Sequence, residues 1–237
     1  MSAYLLVDYG ATRIKASLFN SDTGAYSKKK DFEPLPNVAK EAGHYEVSLE
    51  GIKKQFLGIC EFYYNAKSFS GILLSSEMHG FALLDTDNNP LTDYISWKDE
   101  RSLEEENGKS IYEELSGVMD LSFREITGLK PRPCFPFFNL LHLAKKKQIK
   151  DARVITLPDW LAMSSDDSTD QSHDTMMAGL GFYDVRSRVI SKRLLELAGD
   201  DPERWEFLLS NLKALQPPLM ERVLQGAERF GRKLEGE

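Results

Sequence analysis

The sequence predicts an α/β fold with a mixed β-sheet that opens with three consecutive strands and is flanked by helices. Three observations favour this class. Short apolar runs typical of strands alternate with longer segments at helical spacing. Three strand-like segments precede the first helical one. The first turn, at residues 8–12, returns into a second strand, whereas a doubly wound fold places a helix there, opened by a glycine-rich turn.

The first thirty residues predict three strands joined by short turns. Residues 4–7 form a continuous apolar run, which is typical of a strand buried on both faces. Residues 14–19 alternate apolar and polar side chains, and a turn signal follows at residues 22–24. Residues 25–30 end in a run of lysines, as exposed edge strands often do.

Helices and further strands follow. Residues 48–65 predict a helix, because Ile52, Phe56, Ile59 and Tyr63 fall on one face. Later strands are expected at residues 71–74, 81–84, 94–97 and 154–157. Later helices are expected at residues 102–117, 136–147, 159–163 and 191–198, with a polar loop at 164–174. The last of these helices is expected to be capped by Ser191 and to stop at Gly199.

Composition excludes several classes of protein. The 237 residues carry a net charge of −7, which argues against a general nucleic-acid binder because phosphates require a basic face. Cys60 and Cys134 lie far apart without a paired motif, so we expect reduced thiols. The start of the chain lacks a signal-peptide pattern, and no apolar run approaches ~18 residues. We therefore expect a cytoplasmic protein with neither a membrane nor a nucleic acid as partner.

A turn after the first strand has the composition of a phosphate site. Asp8 ends the strand, and Gly10 lets the backbone approach a ligand closely. Thr12 offers a hydroxyl and an N–H, Lys15 offers a positive charge, and Asp8 suits a hydrated Mg²⁺ ion. An ordinary hairpin turn has the same composition, and these residues alone leave both interpretations open.

Two further segments suit a sugar. Glu77 and His79, just after a predicted buried strand, offer hydrogen bonds to hydroxyl groups, and Met78 offers apolar area. About twenty residues later, Trp97 offers a flat stacking face, Asp99 a hydrogen-bond acceptor, and Arg101 a group that orients Asp99 or reaches an anion. A structural histidine, a core tryptophan and an exposed helix start are the plain alternatives.

These segments together carry a family resemblance. The turn at Asp8, Gly10, Thr12 and Lys15 resembles the first phosphate motif of the actin and hexokinase superfamily, except at Ala11, where a hydroxyl residue is common. The segments at 76–81, 97–101, 157–161 and 169–184 then resemble the FGGY family of carbohydrate kinases. The Met-His-Gly sequence is most similar to xylulose kinases, which usually carry Gln in place of Glu77. Departures at 162–168 and 171–178 leave the identity of the sugar open.

The resemblance implies a ribonuclease-H-like domain and an ATP-dependent kinase that phosphorylates a small sugar or polyol, with a ketose such as xylulose favoured. ATP with Mg²⁺ is the implied donor, and Asp8 is the implied Mg²⁺ residue, acting through water. Phosphate contacts are expected from Asp8, Gly10, Thr12 and Lys15. Sugar contacts are expected from Glu77, Met78, His79, Trp97, Asp99 and Arg101.

The resemblance also sets an expected domain plan. Residues 1–218 are expected to form the family's N-terminal domain and residues 219–237 a charged tail. The family's second domain carries the catalytic aspartate and the adenosine site, and we find neither pattern after residue 218, so no catalytic residue is assigned. We expect a chain that is inactive alone and that pairs with a separately encoded C-terminal domain or with a second copy. The alternative is a non-catalytic sugar-binding or protein-interaction domain.

Overall fold

The computed structural model describes residues 3–146, 151–163 and 172–199, together with Trp205, Leu208 and Leu209. Its strands are β1 Ala3–Tyr9, β2 Ile14–Asn20, β3 Ala25–Phe32, β4 Glu46–Val47, β5 Gly71–Ser76, β6 Ala82–Leu84, β7 Tyr94–Ile95, β8 Glu105–Glu106, β9 Lys109–Ser110, β10 Arg153–Ile155, β11 Tyr183–Asp184 and β12 Val189–Ile190. Its α-helices are α1 Leu49–Ala66, α2 Ile111–Thr127, α3 Pro136–Lys145, α4 Leu157–Met163, α5 Asp174–Gly179 and α6 Lys192–Leu197.

The main sheet has the order β3-β2-β1-β5. Strands β1, β2 and β3 are antiparallel neighbours, and β5 joins β1 in parallel. The predicted mixed sheet that opens with three consecutive strands is therefore confirmed. In the parallel pair Tyr9 lies opposite Ser76, so the carboxyl ends of β1 and β5 meet at the same edge.

Helix α1 covers one face of this sheet. The four side chains predicted to share a helical face (Ile52, Phe56, Ile59 and Tyr63) are all buried against it. The Tyr63 hydroxyl lies 2.8 Å from the carbonyl oxygen of Ala16 and 2.6 Å from that of Lys28, which ties α1 to β2 and β3. A second core, rich in phenylalanine, lies among α2, α3, α5 and α6.

The helix predicted at residues 102–117 is wrong in its bounds. A short 3-10 turn at Arg101–Leu103 is followed by the β8–β9 hairpin, whose Asn107 and Gly108 both have positive φ (57° and 83°). Asn-Gly is a strong signal for this kind of turn. Helix α2 starts at Ile111, where Ser110 and Glu113 form a reciprocal capping box, and it continues to Thr127.

The predicted bounds of the last helix and of the strand near residue 155 lie close to the observed ones. Ser191 caps α6, and Gly199 follows it with φ 71°, as expected. The strand predicted at 154–157 ends at Ile155, because α4 begins at Leu157. Residue 147 of the predicted third helix, the core of the 164–174 loop and the 219–237 tail lie outside the described residues, as does the expected domain limit at 218.

The state of the cysteines agrees with the sequence. Cys60 and Cys134 are free thiols, as expected, and burial raises the pKa of Cys60 to about 12. None of the helices in the described ranges combines the length and apolar character needed to cross a bilayer.

Candidate functional site

The turn predicted to bind phosphate (residues 8–12, the phosphate turn) meets the first of the two segments predicted to bind a sugar at the carboxyl edge of β1 and β5. Those segments are residues 76–81, the first sugar segment, and residues 97–101, the second. The Glu77 backbone N–H donates to the Tyr9 carbonyl oxygen over 3.1 Å, which extends the β1–β5 pairing past the strand ends. Ligand sites in α/β proteins lie at such strand ends. Two segments that are nearly seventy residues apart in sequence are thereby brought into contact.

The phosphate turn depends on glycine at position 10. A Cβ atom on Gly10 would lie 2.9 Å from the Arg13 carbonyl oxygen, which is closer than backbone atoms permit. Asp8 and Lys15 are cross-strand partners with exposed side chains. Both line an open groove of about 550 Å³ on the face of the sheet opposite α1. Thr12 is exposed at the tip of the turn.

Asp8 has the chemistry that a hydrated Mg²⁺ ion requires. Its carboxylate is exposed and lies in the groove beside Lys15, and no ion pair among the described residues engages it. Mg²⁺ keeps several waters and takes one or two carboxylates together with phosphate oxygens. A single free carboxylate at the edge of an open groove therefore fits such an ion.

The Met78–His79 pair is held by α5. His79 has φ 62°, its Nδ1 lies 2.6 Å from the Gly179 carbonyl oxygen, and its ring stacks on Phe135 with centroids 4.8 Å apart. A Cβ on Gly179 would lie 3.1 Å from the Met78 Cε. The end of α5 therefore fixes both side chains, and sequence reasoning missed Phe135 and Gly179 in this role.

Glu77 connects the two sugar segments. The Ser96 hydroxyl donates to its Oε1 over 3.3 Å, and the Tyr94 and Trp97 side chains adjoin the carboxyl group. Burial raises the pKa of Glu77, and the neighbouring hydrogen-bonding groups and Lys98 offset only part of that effect. The Glu77 carboxyl group is therefore largely buried between the first sugar segment and residues 94–97.

Trp97 is the accessible aromatic residue of the second sugar segment. Its side chain is 41% exposed. The Lys98 ammonium group lies 5.8 Å from the Trp97 ring centroid and 4.7 Å from that of Tyr45. An indole with this exposure has a flat surface available to a ligand, and a cation stands beside it.

Asp99 and Arg101, which follow Trp97 in the sequence, form a buried ion pair. The Arg101 guanidinium group donates to both Asp99 oxygens over 2.8 Å, and to Glu46 over 2.5 Å. Asp99 also accepts from the Tyr45 N–H over 2.7 Å. The structure thus shows Arg101 orienting Asp99, one of the roles expected from the sequence. The sequence carried no signal for Glu46 and Tyr45, because their pairing spans about fifty residues.

The segment 157–161 supplies another buried carboxylate. Asp159 accepts hydrogen bonds from the Thr156 and Ser172 hydroxyls, which ties the start of α4 to the residues that precede α5. Burial raises the pKa of Asp159 to about 6, although both hydroxyls act in the opposite direction. Asp159 therefore supports the segment that holds Met78 and His79 rather than facing the groove.

Comparison with known proteins supports a kinase fold. The chain aligns with a xylulose kinase from Lactobacillus acidophilus at a TM-score of 0.77 and 21% identity, covering 98% of this chain and 46% of that one. A gluconate kinase from Lactobacillus acidophilus gives a TM-score of 0.76 at 21% identity, covering 97% and 45%. A Plasmodium falciparum glycerol kinase gives 0.70 at 14% identity, covering 90% and 43%. These likenesses show the fold, which this chain shares with solved carbohydrate kinases, and they confirm the expected α/β class.

Sequence comparison identifies the family. Gluconokinase from Bacillus subtilis (strain 168) is 30% identical over 122 residues, which cover 47% of this chain and 24% of that protein. The chain thus spans less than half the length of the relatives it matches. The model of the N-terminal domain of FGGY carbohydrate kinases matches residues 3–217. Because that match takes in most of the sequence, the chain belongs to the FGGY family of carbohydrate kinases.

Proposed function

We propose that this chain supplies the phosphate-binding and sugar-binding half of an ATP-dependent carbohydrate kinase. Members of the family bind a sugar and ATP, usually with Mg²⁺, and transfer a phosphoryl group. The observation that carries the proposal is the junction between the two segments, where the Glu77 N–H donates to the Tyr9 carbonyl oxygen. Because this hydrogen bond joins residue 77 to the strand end that precedes the turn, it supports a site in which two bound substrates lie close enough for transfer.

The phosphate turn would bind the γ-phosphoryl end of ATP. Gly10 lets the backbone approach the phosphate oxygens, and the Thr12 hydroxyl and N–H donate hydrogen bonds to them. Lys15 adds a positive charge from the neighbouring strand. Asp8 would hold Mg²⁺ through water, and the ion would supply charge neutralisation when bound.

The sugar would lie against Trp97, Met78 and His79. Trp97 offers its exposed face for stacking, and α5 holds Met78 and His79 in place. Asp99 and Arg101 are buried and engage each other. In this proposal they fix the backbone that carries Trp97.

A ketose such as xylulose is the favoured acceptor, on the similarity of the Met78-His79-Gly80 sequence to that of xylulose kinases. Gluconate is a second candidate, because a gluconokinase is the relative with 30% identity. A gluconate carboxylate would need a cation, and Lys98 stands beside Trp97. The substitution Lys98→Met would weaken gluconate binding and leave ketose binding unchanged if gluconate is the substrate.

The described residues provide no group that we assign as the base. A general base must reach the acceptor hydroxyl within hydrogen-bond distance. We propose that the remaining half of the site comes from outside these 237 residues, through a C-terminal domain of the family or a second copy of the chain. Closure of two walls over the substrates would then exclude water.

Equilibrium titrations test this proposal against its alternative. The chain is titrated with Mg²⁺–ATP and, separately, with xylulose, ribulose, sedoheptulose, glycerol and gluconate. Binding of both a sugar and the nucleotide supports a kinase half. Sugar binding without nucleotide binding would favour a non-catalytic sugar-binding domain. A folded chain that binds neither would favour a protein-interaction domain.

A further inference from the structure

A small crevice adjoins the phosphate turn. Gly10, Ala11, Tyr94 and Ser96 are among the residues that line it. Its volume is about 30 Å³. A water molecule needs roughly 10–15 Å³ of such space, so one water fits. The Glu77 side chain enters this crevice from the end of β5.

Two buried polar atoms belong to the walls of the crevice and lack a partner at ordinary hydrogen-bond geometry. Among the described residues, neither the Glu77 Oε2 nor the Tyr94 hydroxyl oxygen has such a partner, although the two groups adjoin each other. Tyr94 is only 2% exposed. An unsatisfied buried polar atom costs about 1–3 kcal/mol, so native proteins satisfy nearly all of them, often with ordered water. A crevice with room for one water therefore has a chemical reason to hold it.

Building on the function proposed above, we propose that Glu77 is a positioning residue. Its carboxyl group and the Tyr94 hydroxyl hold one water molecule beside Gly10 and Ala11. This linked group sets the position of the phosphate turn relative to Trp97. Glu77 is thereby assigned a role under the substrates, in place of the direct sugar contact expected from the sequence.

Two hydrogen bonds give Glu77 this coupling role. Its backbone N–H holds Tyr9, which immediately precedes Gly10. Its carboxyl group accepts from Ser96, which immediately precedes Trp97. A shift of one side chain would therefore move both substrate walls.

The groups around Glu77 allow its protonation to be followed by fluorescence. Tyr9 and Tyr94 are the phenol groups that face it, and Lys98 is the cation whose charge reaches it. Burial raises the pKa of Glu77, and the Trp97 side chain adjoins the carboxyl group. Protonation of Glu77 should therefore change the Trp97 fluorescence at a pH above the usual range for glutamate.

A crystal structure tests the water directly. We expect an electron-density peak within about 3.2 Å of both the Glu77 Oε2 and the Tyr94 hydroxyl oxygen, at ordinary hydrogen-bond distance. The Tyr94→Phe variant should lose the peak. A direct hydrogen bond between the two groups with no intervening density, or an empty crevice, would overturn the water site.

A fluorescence titration tests the positioning role without any sugar or nucleotide. Across pH 4–8, the Trp97 signal is taken as the emission of the parent minus that of Trp97→Phe, which removes any change that Asp159 causes in the neighbouring Trp160. We expect a transition in this difference with a midpoint above the ~4.3 of an ordinary glutamate. Glu77→Gln, compared in the same way with Glu77→Gln/Trp97→Phe, should abolish it. The control Glu100→Gln removes an exposed carboxylate near Trp97 in sequence and should leave it unchanged. A transition that survives in Glu77→Gln overturns the role, and this outcome is independent of whether the chain binds a sugar.

Discussion

The Tyr94 hydroxyl group lies directly against the backbone of Gly80, so that a Cβ atom at position 80 would come within 2.0 Å of the hydroxyl oxygen. Gly80 follows Met78 and His79, and Tyr94 belongs to β7. This contact fixes the first sugar segment against the strand that leads to Trp97. Glycine is required here by the lack of space, since Gly80 is not among the residues with positive φ.

Gly80→Ala should therefore destabilise the fold. Tyr94 is buried and cannot withdraw, so we expect a loss of about 1–3 kcal/mol in the free energy of unfolding, the usual cost of overpacking a core. Chemical denaturation measures it. Gly58→Ala is the matched control, because α1 leaves open space at Gly58 and a helical Gly→Ala change should stabilise by about 0.5–1 kcal/mol. Equal effects of the two substitutions would contradict the packing argument.

Trp97 should report sugar binding. Trp160 and Trp205 are buried, at 2% and 1% exposure, and give a constant background, whereas Trp97 is accessible. At least one sugar of the panel should change the emission with a dissociation constant near ~1 mM, which corresponds to about −4 kcal/mol. Trp97→Phe should remove the response. Silence for every sugar, in a chain shown to be folded, would count against the sugar surface.

Asp8→Asn should impair catalysis in a kinase reconstituted from this chain and a C-terminal domain. Loss of the carboxylate at the groove should lower kcat by on the order of 10²-fold or more, as removal of transition-state charge stabilisation does. Asp22→Asn, the same change in the exposed β2–β3 turn, should stay within about twofold, as surface substitutions usually do. A reconstituted Asp8→Asn enzyme within twofold of the parent would show that the assignment is wrong.

Asp159 should make stability depend on pH. Its folded pKa of about 6 lies above the ordinary 3.8, so the folded state binds the proton more tightly. The stabilisation of the protonated carboxyl is complete below pH ~4 and is lost as pH rises to ~6, by about 3 kcal/mol in total. The difference in unfolding free energy between the parent and Asp159→Asn should follow this curve. A difference that stays constant from pH 3.5 to 7 would contradict the buried assignment.

The sequence was a good guide where patterns are local. The helical face from Ile52 to Tyr63 and the three opening strands follow from periodicity alone, and both are confirmed. The prediction of one helix over 102–117 is wrong, because its charged and apolar residues suit a hairpin followed by a helix as well as one helix. The turn signal of Asn107 and Gly108 distinguishes the two arrangements.

The sequence indicates which residues belong to the candidate site, but it does not show which of them are buried or what they contact. Trp97 and Asp99 are neighbours in one motif, yet one is accessible and the other is fully buried. That difference comes from Glu46 and Tyr45, which reach Arg101 and Asp99 from a distant strand. Side-chain partners across such a sequence separation leave no mark on local spacing, so the sequence could not show them.

The central claim is that this chain supplies two substrate walls and needs another half for phosphoryl transfer. The most direct measurement is ATP consumption by the purified 237-residue chain across the sugar panel, with light scattering to establish its mass in solution. We predict no sugar-dependent turnover from the chain alone, and turnover when a C-terminal domain of the family is added. A strict monomer that turns over at ~1 s⁻¹, within the usual enzyme range, would contradict this account.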